Sequence, residues 1–270
     1  MPERLPCSTG TGHGVLRPLL LALLGVASYA GPPFRTDDPQ PVDPGHLELY
    51  LFAAGQRVSG GSTGVGPAVE FNYGILPDVQ FHAVAPYAYN RPQDGPSRTG
   101  LGDMEAGIKV RFIHETATLP QIGIFPLVEL PTGRAEQGLG SGHTQVYLPI
   151  WAQKTWGAWT TYGGCGWWRN PGEGNRDWRY AGWLLQRDFG EKLTLGAEAF
   201  HTTAMTLDGQ AATGVNAGGQ LNFSEKHHLL FSAGCTVGGV RQSSIYLGYQ
   251  FTTGSFGDLR DWFRRGHAPS

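Results

Sequence analysis

The stretch Gly100-Leu101-Gly102-Asp103-Met104-Glu105-Ala106-Gly107-Ile108-Lys109-Val110-Arg111-Phe112 decides how this chain is read. Asp103, Glu105, Gly107, Lys109 and Arg111 are polar or small, and Met104, Ala106, Ile108, Val110 and Phe112 between them are apolar. Successive side chains of a strand point to opposite faces, so the pattern predicts a strand with one wet and one apolar face. In a soluble sheet the apolar face packs on a core. In a membrane barrel it meets lipid, and the polar face lines the lumen.

The rest of the chain favours the barrel. The same alternation recurs, for example Leu47, Leu49, Leu51 and Ala53 against His46, Glu48, Tyr50 and Phe52, and Phe81, Ala83 and Ala85 against Gln80 and His82. Twelve such strands are predicted between residues 46 and 251. Most run to about nine to eleven residues, the length a tilted strand needs to cross a bilayer. Polar loops at Gly60 to Gly64, Asn90 to Thr99, Pro131 to His143, Arg169 to Asp177 and up to Ala212 alternate with tight turns at Leu76-Pro77-Asp78, His114 to Thr118, Thr155-Trp156-Gly157, Asp188 to Lys192 and Ser224-Glu225-Lys226. Only the last connection, Gly238 to Gln242, is shorter than this rhythm predicts. An even strand number with short turns at one end and longer loops at the other is the antiparallel up-and-down arrangement of a transmembrane β-barrel, with both chain ends on the periplasmic side. Tyr73, Tyr87, Tyr89, Trp151, Trp156, Trp159, Trp167, Trp168, Trp178 and Tyr249 fall near predicted strand ends or turns, as interfacial girdles do.

Composition agrees. Gly at 41 of 270 residues with only 16% charged side chains suits a closed β structure. The net charge of -2 offers no basic surface for nucleic acid. Residues 1–30 hold Arg4 and Arg17, an apolar run from Leu19 to Ala27 and then Ser28-Tyr29-Ala30, the order of a secretory signal peptide. Residues 31–45 are Pro-rich and read as an extended periplasmic lead that either enters the lumen as a plug or hangs free in the periplasm, with Asp37 and Asp38 solvated beside Arg35 in preference to binding a hard cation. The barrel spans 46–251, and 252–270 form a polar tail. Cys7 leaves with the signal, and nothing in the spacing brings Cys165 and Cys235 together.

The candidate lumen-lining residues are Glu48, Glu70, His82, Asp103, Glu105, Lys109, Arg111, Glu129 and Glu198, with Gln80 beside them. They either line a conduction path or latch a plug, or else neutralise one another and merely hold the barrel in shape. Unpaired charge in a narrow lumen is costly, so Lys109 and Arg111 are expected to pair with neighbouring glutamates. Gly60-Gly61-Ser62-Thr63-Gly64 fits the nucleophile-elbow spacing, but that motif requires a strand-turn-helix setting, and this copy falls in a hairpin loop. Gly100-Leu101-Gly102 and Gly138-Leu139-Gly140 lack the third glycine of a dinucleotide loop, and His227-His228 point to opposite faces, so no cofactor and no metal are expected. A barrel-borne lipid hydrolase is the enzymatic alternative, with His143, His201, Ser141, Ser243 and Ser244 as candidates by location alone. A barrel with only a structural role is the third.

Pro33-Phe34-Arg35-Thr36-Asp37-Asp38-Pro39, Thr99-Gly100-Leu101-Gly102-Asp103, Leu130-Pro131-Thr132-Gly133, Gly138-Leu139-Gly140-Ser141-Gly142 and Pro149-Ile150-Trp151-Ala152-Gln153-Lys154 together resemble the "MetA-pathway of phenol degradation" family of outer-membrane transporters. The resemblance covers nearly the whole mature chain. It implies a barrel in the bacterial outer membrane that handles aromatic or other hydrophobic compounds without covalent chemistry. Its partners are then outer-membrane lipid, the barrel-assembly machinery and a small hydrophobic solute. Such barrels commonly end on an aromatic residue, whereas here a tail follows Phe251.

Overall fold

The computed structural model describes residues 32–253, so the signal segment 1–30 and the tail beyond Thr253 lie outside the described residues. Twelve antiparallel strands follow in chain order. They are β1 (Leu47–Val58), β2 (Gly61–Leu76), β3 (Val79–Pro92), β4 (Arg98–Leu101 and Met104–Ile113), β5 (Gln121–Ile124 and Leu127–Leu130), β6 (Gln145–Trp156), β7 (Trp159–Arg169), β8 (Trp178–Phe189), β9 (Leu193–Thr202), β10 (Ala212–Asn222), β11 (His227–Gly239) and β12 (Gln242–Thr253). Each pairs with its neighbours in sequence, and β12 returns to β1 from Leu47 opposite Thr253 to Val58 opposite Gln242. That last ladder closes the barrel and leaves no open sheet edge.

The alternation that predicted the strands also sets their faces. On β4, Met104, Ile108 and Phe112 are exposed on the outer wall, while Glu105 and Lys109 are buried inside. Around the wall Leu51 is 53% exposed, Trp183 56% and Leu247 54%, whereas Glu70 and His82 are each 1% exposed. An apolar exterior over a charged interior reverses the order of a water-soluble protein and suits a lipid solvent, in which the closed ladder also satisfies the backbone. The fold is an all-β transmembrane barrel.

Two connections and the end of the last strand differ from expectation. Gly60 to Gly64 is no loop: β2 begins at Gly61, and Ser62 and Thr63 pair with Arg57 and Gln56, leaving only Ser59-Gly60 to turn. Thr63 and Gln56 side chains also hydrogen-bond at 3.2 Å, so polar residues extend the hairpin above the apolar band. The β3–β4 connection shrinks to residues 93–97 for the same reason. Long loops therefore remain only at 131–144, 170–177 and 203–211, all at one end of the barrel. At the C-terminal end, β12 runs two residues past Phe251 to Thr253, shortening the predicted tail.

Two strands are interrupted on their course. β4 breaks at Gly102-Asp103, and β5 breaks at Phe125-Pro126 because Pro126 has no N–H to give the ladder. The Pro126 carbonyl still accepts from Ile108 N at 3.1 Å, and Phe125 turns into the lumen with 1% exposure. Cys165 and Cys235 are free, exposed, and on separate strands β7 and β11.

Candidate functional site

Residues 32–45 do not extend away from the barrel. They enter it from the end bearing the tight turns and stop the lumen near mid-height. Glu198 on β9 is the main anchor: one carboxylate oxygen accepts from Arg35 N at 2.9 Å and the other from Thr36 N at 2.8 Å. Asn216 on β10 donates its amide to the same carboxylate at 2.5 Å. The Thr36 hydroxyl meets the Tyr180 hydroxyl at 2.9 Å, and Ser232 on β11 donates to the Pro33 carbonyl at 2.5 Å. Phe34 is 1% exposed and packs with Tyr162 and Leu184, and Arg35 lies 4.7 Å over the Phe200 ring. Extended Pro-rich backbone makes few hydrogen bonds to itself, so its N–H and C=O groups are satisfied by lumen side chains.

Below this plug the buried charges meet. Lys109 Nζ lies 3.0 Å from Asp37 and 3.9 Å from Asp38. Asp37 is 1% exposed, which corrects the expectation of a solvated pair held by Arg35. Lys109 and Arg111 were expected to pair with glutamates. Each finds an aspartate instead: Lys109 takes the plug's Asp37, and Arg111 binds Asp78 in the β2–β3 turn at 2.7 Å. The spacing within strands could not foretell this, because both partners lie outside the strands. Arg111 and Asp78, with His114 at 2.9 Å, form a rim cluster below the lumen proper.

The remaining candidates divide. Glu70, His82 and Glu105 come together on β2, β3 and β4: His82 Nε2 is 2.9 Å from Glu105, and Asn72 Nδ2 donates to Glu70 at 2.8 Å while its Oδ1 lies 2.7 Å from His82 Nδ1. Phe125 stands edge-on to His82, with ring centroids 5.1 Å apart, and seals that side. Glu48 is half-buried near the lower mouth and accepts from the Tyr50 hydroxyl at 2.7 Å. Glu129 faces Glu105 across the β4–β5 register. Asp103 does not line the lumen midpoint but ties down the longest loop, accepting from Gly133 N at 2.8 Å, Ser141 N at 2.6 Å and the Ser141 hydroxyl at 2.8 Å. That clamp brings Gly100 to Asp103, Pro131 to Gly133 and Gly138 to Gly142 into one place, and it lowers Leu139 into the barrel mouth with 4% exposure.

Above the plug the lining is aromatic. Trp151 is 1% exposed, and Tyr147, Trp168, Trp178, Tyr180 and Phe200 are buried beside it. Tyr147 stacks on Trp168 at 4.6 Å, Trp168 on Trp178 at 5.3 Å, and Tyr180 on Phe200 at 6.4 Å. This corrects the assignment of Trp151, Trp168 and Trp178 to a membrane girdle. They sit on the inner parity of β6, β7 and β8, whereas Tyr87, Trp156, Trp159, Trp167 and Tyr249 are exposed outside. The strand parity, fixed by Tyr147 and Tyr180 at two-residue steps, carried the signal that distance from the strand end did not. On the facing wall Phe52, Val65, Ala88, Leu139 and Tyr246 form a second buried apolar cluster.

The nucleophile candidates assemble no relay. Ser141 Oγ lies 2.8 Å from both Asp103 Oδ2 and the His143 carbonyl oxygen, to which its single proton is committed, and the His143 ring reaches the Ser141 carbonyl. His201 bonds Thr213 on the exposed outer wall at 2.9 Å. Ser62 lies in the β1–β2 ladder. Among the described residues no group of three His, Cys, Asp or Glu side chains is placed to hold a metal ion.

Comparison with known proteins agrees at the level of fold. No family model and no curated protein matches the sequence. Among solved structures, the barrel is similar to the COG4313 outer membrane channel from Pseudomonas putida F1, with a TM-score of 0.65 at 14% identity over 80% of this chain and 98% of that one. It is also similar to the KdgM porin in complex with disordered oligogalacturonate (TM-score 0.53, 9% identity, 76% of this chain and 98% of that) and to the NanC porin (TM-score 0.52, 7% identity, 75% and 98%).

Proposed function

We propose that the chain is a bacterial outer-membrane channel or transporter for small hydrophobic, chiefly aromatic, molecules, and that it works without covalent chemistry. The observation that carries this reading is the stacked aromatic wall above the plug, with Trp151 at its foot. A polysaccharide or sugar pore needs a continuous polar path with charged side chains facing it. This wall is built of flat rings, and among the described residues the buried indole N–H of Trp151 has no hydrogen-bond partner. Offset stacking and apolar burial favour a flat unsaturated solute there, and the free N–H favours one bearing an acceptor or a second π face. Outer-membrane channels among the similar barrels support the placement in that membrane. The signal peptide 1–30, contact with outer-membrane lipid through the apolar band and delivery by the barrel-assembly machinery belong to the same reading.

In this reading Glu70, His82, Glu105, Lys109 and Glu198 hold the plug and the lumen wall. Glu48, Asp103, Arg111 and Glu129 act at the two mouths. The test is calorimetric titration of 1-naphthol into the purified, detergent-solubilised protein, wild type and Trp168→Ala. Truncation removes the middle ring of the Tyr147–Trp168–Trp178 stack and with it the alignment of the two outer rings, and the variant is expected to bind about tenfold more weakly, a loss of about 1.4 kcal/mol within the range for aromatic pairs. Equal affinity in the two proteins, or liposome swelling with sugars and no 1-naphthol binding, would overturn the reading.

A further inference from the structure

On the outer wall an apolar groove of about 670 Å³ runs across β12, β1 and β2 toward the end of the barrel that bears the long loops. Its floor is made of small residues, Ala53 and Gly55 on β1 and Gly66 on β2. Both ladders of β2 skip Gly66 and Pro67 here, and the β1 ladder skips Ala53. Unpaired residues of this kind bend a strand out of its regular course, which accounts for the recess. Ile245 and Leu247 on β12 wall one side, Pro67 and Tyr89 on β2 and β3 the other, and Leu51 lies at the lower end. The Tyr89 ring crosses Gly64 and brings its hydroxyl beside Gly55, where a Cβ on either glycine would collide with it.

Just above the groove the register sets Ser243, Arg57, Ser62 and Arg91 side by side on β12, β1, β2 and β3. Neighbouring strands lie about 4.8 Å apart, so the two arginine backbones are about 10 Å apart, and their long side chains can meet on one phosphate. Both arginines are exposed and share the outward parity of Ala53 and Tyr87. Other arginines are matched, Arg111 by Asp78 and Arg169 by Asp177, but among the described residues neither Arg57 nor Arg91 has an ion pair. Arg241, in the turn before Gln242, adds a third exposed guanidinium beside the top of β1. The end of a barrel with the longer loops faces outward, so this row stands at the headgroups of the outer leaflet with the groove among its acyl chains. Guanidinium groups take phosphate through paired hydrogen bonds, and a small-residue groove takes a hydrocarbon chain. We infer that this face binds a phosphorylated, acylated sugar lipid of the outer leaflet, of the lipid A type, with a phosphate between Arg57 and Arg91 and an acyl chain along Ala53 and Gly55. The inference rests on the outer-membrane placement proposed above and is independent of the aromatic wall.

Native mass spectrometry of the full-length purified protein, titrated in detergent with diphosphoryl lipid A, tests the site directly. Saturable binding of lipid A is expected, tighter than that of phosphatidylglycerol. In the double variant Arg57→Gln/Arg91→Gln the affinity should fall about tenfold, as the loss of charge-assisted contacts at an exposed site gives. Ala53→Phe fills the floor, leaves both arginines in place and should weaken binding by about as much. Heat-dependent gel migration verifies that both variants remain folded barrels. No saturable binding, equal affinity in wild type and both folded variants, phosphatidylglycerol bound as tightly as lipid A, or a lipid-free dimer in place of the complex overturns the inference. Each of these leaves the 1-naphthol result untouched, whereas wild-type protein that fractionates away from the outer membrane overturns the placement itself.

Discussion

Replacing Glu198 by Ala should release the plug. The wild-type carboxylate accepts from two plug amides, Arg35 N at 2.9 Å and Thr36 N at 2.8 Å, at a site where Glu198 is 3% exposed. A hydrogen bond to a charged group contributes about 1.5–3 kcal/mol, and an amide left buried without an acceptor costs about as much. Water can enter the polar space left by the side chain, so the low end applies. Two bonds then give about 3 kcal/mol, or roughly a hundredfold in the ratio of docked to undocked plug. The Lys109–Asp37 pair and the Ser232–Pro33 contact remain, so the barrel itself should stay folded. Hydrogen exchange followed by mass spectrometry on the peptide covering residues 32–41 reads the two amides themselves. Exchange there should accelerate by about two orders of magnitude while β9 and β10 amides stay protected. Glu198→Gln, which keeps one acceptor oxygen, should fall between the two. Protection of the peptide in Glu198→Ala within about threefold of wild type would refute the reasoning, because the energy holding the plug would then lie elsewhere.

Asp103→Ala removes the acceptor of three hydrogen bonds from Gly133 and Ser141, so loop 131–144 should open and tryptic cleavage after Arg134 should speed up by about tenfold or more; an unchanged cleavage rate would remove Asp103 as the clamp. At the rim, hydrogen bonds from Arg111 and then His114 hold the Asp78 carboxyl below the usual carboxylate range. A depressed folded-state pKa contributes stability that is fully present above the unfolded value near 4 and is lost as pH falls through the folded one. Thermal unfolding of wild type should therefore lose more between pH 5 and pH 2 than that of Asp78→Asn, and parallel profiles would count against the assignment.

The wall of this barrel was legible because its signal is local. Period-two alternation and turn chemistry depend on neighbours in sequence, so residues 100–112 predicted their own faces, with Met104 and Phe112 outside and Glu105 and Lys109 inside. The misread loops have the opposite origin. Gly60 to Gly64 has loop composition, yet Ser62 and Thr63 pair in the ladder because β1 brings Arg57 and Gln56 beside them. Composition gave no view of that partner. Trp151, Trp168 and Trp178 lie near strand ends, as girdle residues do, yet parity alone decides whether a side chain meets lipid or lumen, and theirs faces the lumen.

A plug formed by residues 31–45 was one of two courses the sequence left open, but the partners that hold it were not legible, for a physical reason. A charged residue on the inner face needs a partner, and alternation identifies the need without the partner. Lys109 was expected to find a glutamate on an adjacent strand, but a Lys and a Glu there would neutralise each other and leave nothing to bind the plug. Its bond to Asp37, 72 residues away, ties the Pro-rich segment to the wall. Glu198 repeats the logic with opposite sign: lacking a cation, it takes backbone N–H groups that extended Pro-rich chain cannot satisfy itself. The same accounting leaves Arg35 Nε unmatched in the plug, Asp37 Oδ2 and Glu70 Oε2 unmatched below it and the Trp151 N–H unmatched above it. Once wall and plug have satisfied each other, the Trp151 N–H left over above them favours a flat solute that brings its own acceptor.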